Sequence, residues 1–346
     1  MTQENHFVSP GQAKPPFFVG VDPAGGNIKV GVVDDLGRPL CRLTFPDDSD
    51  KGPEEAAQRM GAAVLEAVRK AGLKPSAIAR VGIGLPNMAG IAAGQLVRPA
   101  NDAGGDNFPT GERVGAHCGL PVSLASQANA AAYGEFWVGA GRGFHSMVLC
   151  TLGPSIGCGI VIADLANQGE TNRGADFGHM IIDCSDNARL CACGQPGHLD
   201  AYASAAAVVK RAREALDAGR ESSLSKRLAQ RHTLTFPLIA QEAEAGDPLS
   251  LEIVADAARC LGVGVVNLMN TIDPNGILLG GTMTFGGRES PLGRKFLGWV
   301  REEVARRAFT VLAERTVVDF AALGGDAGYI GAAGIARLEK AKGVGP

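Results

Sequence analysis

The chain has 346 residues, 45% of them hydrophobic, with 48 glycines and a formal net charge of −3. That length suits two domains, or one large two-lobed α/β unit with a substantial core, and glycine well above the usual ~7% predicts many tight turns and close backbone approaches. The small negative charge excludes the basic footprint of a nucleic-acid binder, and no run of about 18 apolar residues exists to span a membrane. The leader "MTQENHFVSPGQAKPP" lacks a basic start and an apolar centre, so residues 1–16 read as a disordered leader and not a signal peptide. Of eight cysteines, Cys184, Cys191 and Cys193 cluster while the rest sit singly in apolar surroundings. That pattern predicts a reduced, cytoplasmic protein with one metal-type site and no disulfide framework.

"FFVGVD" (17–22) and "IKVGVVDD" (28–35), joined by a glycine turn, read as a hairpin. "GPEEAAQRMGAAVLEAVRKAG" (52–72) predicts a helix with Pro53 at its first position, an apolar stripe of Met60, Val64, Ala67 and Val68, and Gly72 as its stop. "ARVGIGLP" (79–86) and "LPVSLAS" (120–126) read as buried strands, the second running into a turn and a small-residue helix, "QANAAAYGEF". A second hairpin pairs "SMVLCTLG" (146–153) with "CGIVIADL" (158–165). Helices follow at about 200–218 and 247–272, the latter apolar nearly all round and so buried. "NGILLGGTMTFGG" (275–287) is a strand entering a glycine turn, and "GGDAGYIGAAGIARLEK" (324–340) a helix whose small residues permit close packing. The strand–glycine turn–strand opening occurs twice, at 17–34 and 147–164, which two ordinary hairpins or two similar lobes around a cleft would both explain.

From Phe17 to about Lys340 these segments resemble the ROK family of sugar kinases, closest to its glucokinase branch. The most specific piece is "GHMIIDCSDNARLCACGQPGHLDAYAS" (178–204), similar to the family's "GH…CxCGxxG[CH]xEAxAS". The resemblance implies an α/β, two-lobed actin-like ATPase (ribonuclease H-like) fold with a cleft between lobes. An N-terminal lobe over 17–122, with a last helix at about 328–342 packing back on it, would precede a C-terminal lobe over 123–327. It also implies a sugar or polyol ligand, and a homodimer or a related subunit as partner, with no nucleic acid or membrane involved.

By the same resemblance His179, Cys191, Cys193 and His198 would hold a structural zinc in the loop 179–198, with two nitrogen and two sulfur ligands and no open position. Cys184 would be an inert neighbour. Asn101 matches a sugar-binding Asn, and His179 a sugar-contacting His. Asp176 and Asp200 stand where the family has Glu, withdrawing each carboxylate by roughly 1.5 Å, more than a hydrogen bond tolerates without rearrangement or a bridging water. In "GLPNMAG" (84–90) the family's "GxPGxxD" is replaced, adding the bulk of Leu85 and Asn87.

The phosphate-handling positions depart further. Against the family's "DxGGTxxK", "DPAGGNIK" (22–29) keeps Asp22 and Gly25 but has Pro23, Ala24 and, for a Thr hydroxyl, Gly26. Against "LGTGVGxG", "LGPSIGCG" (152–159) keeps Gly153 but has Pro154 for Thr and Ser155 for Gly. Ser155 could supply a hydroxyl from a neighbouring position, and Gly280 and Gly281 complete the nucleotide-binding set that the resemblance implies. Each proline deletes a backbone donor. Nucleotide phosphates depend on such N–H groups and hydroxyls, so the changes argue against tight binding of ATP and Mg²⁺.

The family's "NDANAAA" turn carries the Asp that takes the proton of the attacking sugar hydroxyl. Here Ser126 and Gln127 fill the Asn and Asp places, and a primary amide can orient a hydroxyl but not deprotonate it. Loss of a general base typically costs about 10²–10⁴ in rate, and only Asp102 and Asp106 stand close enough by resemblance to substitute. The reading is therefore a sugar-binding, glucokinase-like pseudokinase with phosphotransferase activity lost or strongly reduced. The alternative is an active ATP-dependent hexose kinase with an atypical site. A repressor is disfavoured, since about 16 residues precede the first strand where family repressors carry a winged helix.

Overall fold

The computed structural model describes residues 7–24, 26–47, 51–85, 108–167, 169 and 175–343. Its first apolar runs become β1 (Phe17–Ala24), β2 (Asn27–Val33) and β3 (Pro39–Pro46), an antiparallel meander. β1 continues past Asp22, so Pro23 sits opposite Ile28 and Ala24 opposite Asn27. The first glycine turn is correspondingly tight, with Gly26 at φ 77°. α1 (Pro53–Lys70) starts with proline, carries Glu54 and Glu55 in its first turn and Arg69 and Lys70 in its last, and so matches the helix dipole at both ends. Its expected stripe of Met60, Val64, Ala67 and Val68 is buried. α1 carries the chain across to β4 (Ile78–Leu85), parallel to β1, because a parallel return needs a crossover. α2 (Thr110–Cys118) leads to β5 (Val122–Ser126), parallel to β4, and α3 (Gln127–Val138) follows directly. The sheet order is β3-β2-β1-β4-β5.

β6 (Ser146–Leu152) and β7 (Ile156–Ile162) open a second five-stranded sheet, followed by the short β8 (Leu165–Asn167). The helix expected over 200–218 is split into α4 (Asp200–Ala203) and α5 (Ala205–Asp217). Ser204 lies in the extended region between them, where its hydroxyl accepts from the Ala207 amide and starts a fresh helix. α6 (Ser223–Ala229), α7 (Phe236–Glu244) and the 25-residue α8 (Pro248–Ile272) complete the helical part. Asp247 caps α8 by accepting from Ser250, and most of the helix is buried, as its all-round apolarity predicts. β9 (Gly276–Gly281), α9 (Pro291–Arg307), α10 (Thr310–Arg315) and β10 (Val317–Phe320) finish a sheet ordered β10-β9-β6-β7-β8.

α11 (Ala327–Ala341) packs on β1, β4 and α3. A Cβ on Gly20 would stand 1.7 Å from the Tyr329 carbonyl, and one on Gly331 would stand 1.6 Å from that of Ala130. Glycine is thus required on both sides of this layer, and backbone meets backbone where side chains would ordinarily intervene. The described residues of 1–147, 159–175 and 322–346 gather into one compact unit, and those of 148–158 and 176–321 into another. The first unit takes in 123–147 as well as 17–122, because β5 pairs with β4 and α3 packs against α11. Among the described residues no helix is long and apolar enough to cross a membrane.

Candidate functional site

In the first unit, β1 carries Asp22 two residues before its end, and the β5–α3 junction delivers Ser126 and Gln127. Ser126 is the N-cap of α3, its hydroxyl accepting from the Asn129 amide at 3.2 Å. Gln127 therefore begins the helix with a fixed backbone. Its Nε2 donates to Asp22 Oδ1 at 2.8 Å and to the Pro23 carbonyl at 3.2 Å. Both amide hydrogens are engaged, which leaves Oε1 as the group able to accept from a ligand hydroxyl. Asp22 is buried, and a Cβ on Gly328 in the first turn of α11 would lie 2.1 Å from its Oδ2. Burial raises the Asp22 carboxyl above the usual range, while the Gln127 amide and the charge of Lys29 pull it back down. Lys29, opposite Asp22 across the hairpin, donates to the Gly325 carbonyl at 3.0 Å.

In the second unit, the turn between β6 and β7 closes with the Gly153 amide donating to the Ser155 carbonyl at 3.2 Å. The Ala205 amide, at the start of α5, donates to the Gly153 carbonyl at 2.9 Å. Asp200 Oδ1 accepts from the Ile156 amide at 2.7 Å. Burial raises the Asp200 carboxyl, and the bond from Ile156 opposes that shift. Gly281 turns the end of β9 at φ 92°, where a Cβ would stand 2.3 Å from the Leu152 carbonyl, and Gly280 precedes it within the strand.

The loop after β8 brings His179, Cys191, Cys193 and His198 together, their ligand atoms all within 4.8 Å of one another. Tetrahedral zinc with bonds of about 2.3 Å to sulfur and about 2.0–2.1 Å to nitrogen spaces its ligand atoms about 3.3–3.8 Å apart, so small side-chain adjustments close the set. Cys193 Sγ already lies 3.2 Å from His198 Nδ1. Asp176 Oδ2 lies 2.9 Å from His179 Nδ1, which assigns that nitrogen to the carboxylate and leaves Nε2 for a metal, a common arrangement around zinc. Burial raises the Cys191 thiol, and neighbouring Cys193 opposes a second thiolate, a balance that a divalent cation would reverse. The loop backbone is held by amide bonds from Cys191 to Gln195, Gly194 to Cys191 and Gly197 to Arg189. Gly194 and Gly197 take φ of 90° and 80°. The donor set fits zinc, which would supply a closed structural cross-link; Cys184 is exposed and outside the set.

The structure thus groups the expected residues into a Gln127–Asp22 pair, a Ser155-containing turn gripped by Asp200, and a four-ligand loop. Asn101, Gly25 and the substitute carboxylates Asp102 and Asp106 lie outside the described residues, as does Asn87. Two relationships escape sequence reading. Gln127 is separated from Asp22 by 105 positions, and Asp200 turns its carboxylate to a backbone amide 44 positions away. The shortening from Glu to Asp was the available signal for the second, since a shorter arm favours a nearby backbone partner.

The ROK family profile matches residues 18–339. A glucokinase of Halalkalibacterium halodurans is 28% identical over 94% of this chain and 96% of its own. A ROK hexokinase structure from Thermus thermophilus superposes with a TM-score of 0.79 at 28% identity, over 94% of this chain and 99% of that one. A ROK family glucokinase from Streptomyces griseus, in complex with glucose and AMPPNP, gives a TM-score of 0.73 at 29% identity over 93% and 99% of the two chains. The α/β, two-lobed actin-like fold of these sugar kinases is therefore the fold of this chain.

Proposed function

We propose that this chain, which belongs to the ROK family, is a glucokinase-like sugar-binding protein with ATP:hexose phosphotransferase activity lost or strongly reduced. The observation that carries the reading is the amide of Gln127, which donates to Asp22 and to the Pro23 carbonyl. In the family the corresponding Asp removes the proton from the attacking hydroxyl. Here Oε1 of Gln127 can accept that hydroxyl's hydrogen bond, but an amide cannot carry the proton away near neutral pH. The hydroxyl is oriented and left protonated.

The phosphate side supports the same reading. Pro23 is paired within β1 and Pro154 stands in the second turn, so neither position offers an N–H to a phosphate oxygen. Asp22, which could otherwise hold a hydrated Mg²⁺, is occupied by an amide donor and buried. ATP and Mg²⁺ should bind weakly at best. The sugar-side set that the resemblance implies is Asn101, Ser126, Gln127, Asp176, His179 and Asp200. Within it Asp176 and Asp200 act chiefly as supports, one for His179 and one for the second turn, consistent with their shortened arms. Zinc held by His179, Cys191, Cys193 and His198 would fix the loop that presents His179. The resemblance implies a homodimer or a related subunit as partner, and the cysteine pattern a reduced, cytoplasmic protein.

A second reading, an active ATP-dependent hexose kinase, is favoured by the Streptomyces griseus glucokinase that carries glucose and AMPPNP at 29% identity. A coupled assay of ADP release across a panel of hexoses, with direct sugar binding measured on the same protein, separates the two. Sugar binding without ADP release supports the first reading, and turnover at rates usual for kinases, about 1–100 s⁻¹, establishes the second.

A further inference from the structure

The four-ligand loop and the turn between β6 and β7 share one residue, Ile156. Its amide donates to Asp200 Oδ1 at 2.7 Å, and Asp200 follows the ligand His198 by two positions. Its carbonyl faces the backbone of Gly178, where a Cβ would stand 2.5 Å away, and Gly178 immediately precedes the ligand His179. One residue of the turn is thus hydrogen-bonded by Asp200, a neighbour of the ligand His198, and packed closely against Gly178, a neighbour of the ligand His179. These two segments are tied together, the Leu199 amide donating to the Met180 carbonyl at 2.9 Å and Ile181 bridging His198. From Ile156 the path enters the turn directly, through Ser155, whose carbonyl closes the turn on the Gly153 amide.

We infer that Asp200 is a positioning residue that couples the metal-binding loop to the β6–β7 turn, so that loading the loop fixes the conformation of Gly153–Ile156. This rests on the reading of His179, Cys191, Cys193 and His198 as a zinc site. The physical basis is local. Cross-linking four side chains on two loop strands restrains relative motion between 178–182 and 197–200, the segments between which Ile156 is bonded by Asp200 and packed against Gly178. Without the cross-link, the two segments are joined by backbone bonds and by the contact of the His179 and His198 rings, 5.1 Å apart, which fix their relative position less firmly than a four-ligand cation would. The ion pair between Arg189 and Glu214 anchors the far side of the loop to α5 and does not reach the turn. Asp200 is suited to the role because its short arm meets a backbone N–H, which any residue but proline supplies at position 156.

Hydrogen exchange at the Ile156 amide reports on this bond, since Asp200 is its acceptor. The full chain is measured as purified, after chelation, and after Zn²⁺ is added back, with bound metal counted in each sample. Chelation should speed exchange at Ile156 by about tenfold or more, and Zn²⁺ should restore protection, because local opening free energy sets the exchange rate. Asp200→Ala should exchange fast in every metal state, while Asp200→Asn, which keeps an oxygen acceptor at the same reach, should retain the metal response. Should Asp200→Ala not fold, the wild-type and Asp200→Asn comparison decides alone. Bound zinc with equal Ile156 exchange in loaded and stripped protein overturns this coupling and leaves the metal site standing. Folded protein without bound zinc overturns both.

Discussion

The side-chain amide of Gln127 donates to the carboxylate of Asp22 at 2.8 Å, joining the first residue of α3 to β1. An aspartate in place of Gln127 would set a second carboxylate against a buried one. Glutamine replaces that conflict with a donor–acceptor match and uses its second hydrogen on the Pro23 carbonyl at 3.2 Å. The pair is therefore a coherent arrangement in which a protein amide meets one oxygen of the buried Asp22 carboxylate.

Gln127→Asp should make stability depend more steeply on pH. The Asp22 carboxyl is already raised by burial, and the substitution removes an amide that lowers it while adding a like charge. A carboxyl whose folded pKa lies above its unfolded value binds more protons in the native state, so stability falls as pH rises through that window. The variant should lose about 1–3 kcal/mol relative to wild type near neutral pH and recover most of it under mildly acidic conditions. Denaturant titrations of both proteins across that range test this. A loss that is constant with pH would show that the two carboxylates do not meet.

Glu135→Ala should be among the most damaging single changes in the first unit. Glu135 is fully buried, with Oε2 accepting from the amides of Ala140 at 2.9 Å and Ala322 at 3.0 Å and Oε1 accepting from Leu323 at 2.6 Å. Truncation orphans buried donors, each costing about 1–3 kcal/mol, so a total loss of at least about 3 kcal/mol is expected. Chemical denaturation measures it; a loss below about 1 kcal/mol would mean that water reaches these amides.

Local rules made much of this fold legible. Pro53 and the Met60–Val68 stripe announced α1, and the small residues of "GYIGAAG" announced a helix able to touch backbone, as Gly331 and Ala130 do. Where reading stopped, the reason was distance along the chain or competition within it. Ser204 looks like any helix residue until its hydroxyl is seen capping Ala207. The bond from the Ile156 amide to Asp200 at 2.7 Å joins positions far apart in the chain, and no local pattern announces it. Gln127 could be read in one position, as an amide where the family has an acid, but not its partner, because nothing local links an α3 residue to Asp22 in β1.

Purified protein should hold about one zinc per chain through His179, Cys191, Cys193 and His198, since the donor set is closed and metal binding contributes directly to folding. Cys191→Ser should lower both metal content and melting temperature, and Cys184→Ser should change neither, because Cys184 is exposed and outside the cluster. Elemental analysis and thermal melts check the pair. Folded protein lacking zinc would remove the metal reading.

Millimolar ATP–Mg²⁺ should leave the melting temperature nearly unchanged. A ligand present at about 100 times its Kd would add about 2.7 kcal/mol, which a melt readily detects. Pro23, Ala24, Gly26 and Pro154 replace the donors and hydroxyls that the family uses, and Asp22 is engaged by Gln127. A rise of several degrees would show that Ser155 and the remaining glycines suffice to hold the phosphates.

Glucose phosphorylation should run at or near background, and the pattern of attempted repair should say why. Gln127→Asp alone restores a candidate base but also sets it against Asp22 without the cation that would reconcile them, so little activity should return. Replacing Pro23, Ala24, Gly26, Pro154 and Ser155 by the family's residues alone restores phosphate donors without a base, and should likewise return little. The combined variant should recover far more than the sum of the two, because residues that act as one unit are non-additive. Absence of a general base would by itself cost about 10²–10⁴ in rate, and the hairpin changes would add to that cost. Initial rates from coupled ADP release, compared across the wild type, the two partial variants and the combined variant, test this. Turnover by the unmodified chain at about 1–100 s⁻¹ would overturn the reading and turn attention to Asp102 or Asp106 as the base. Recovery that is additive in activation free energy would show that base and phosphate hairpins act independently.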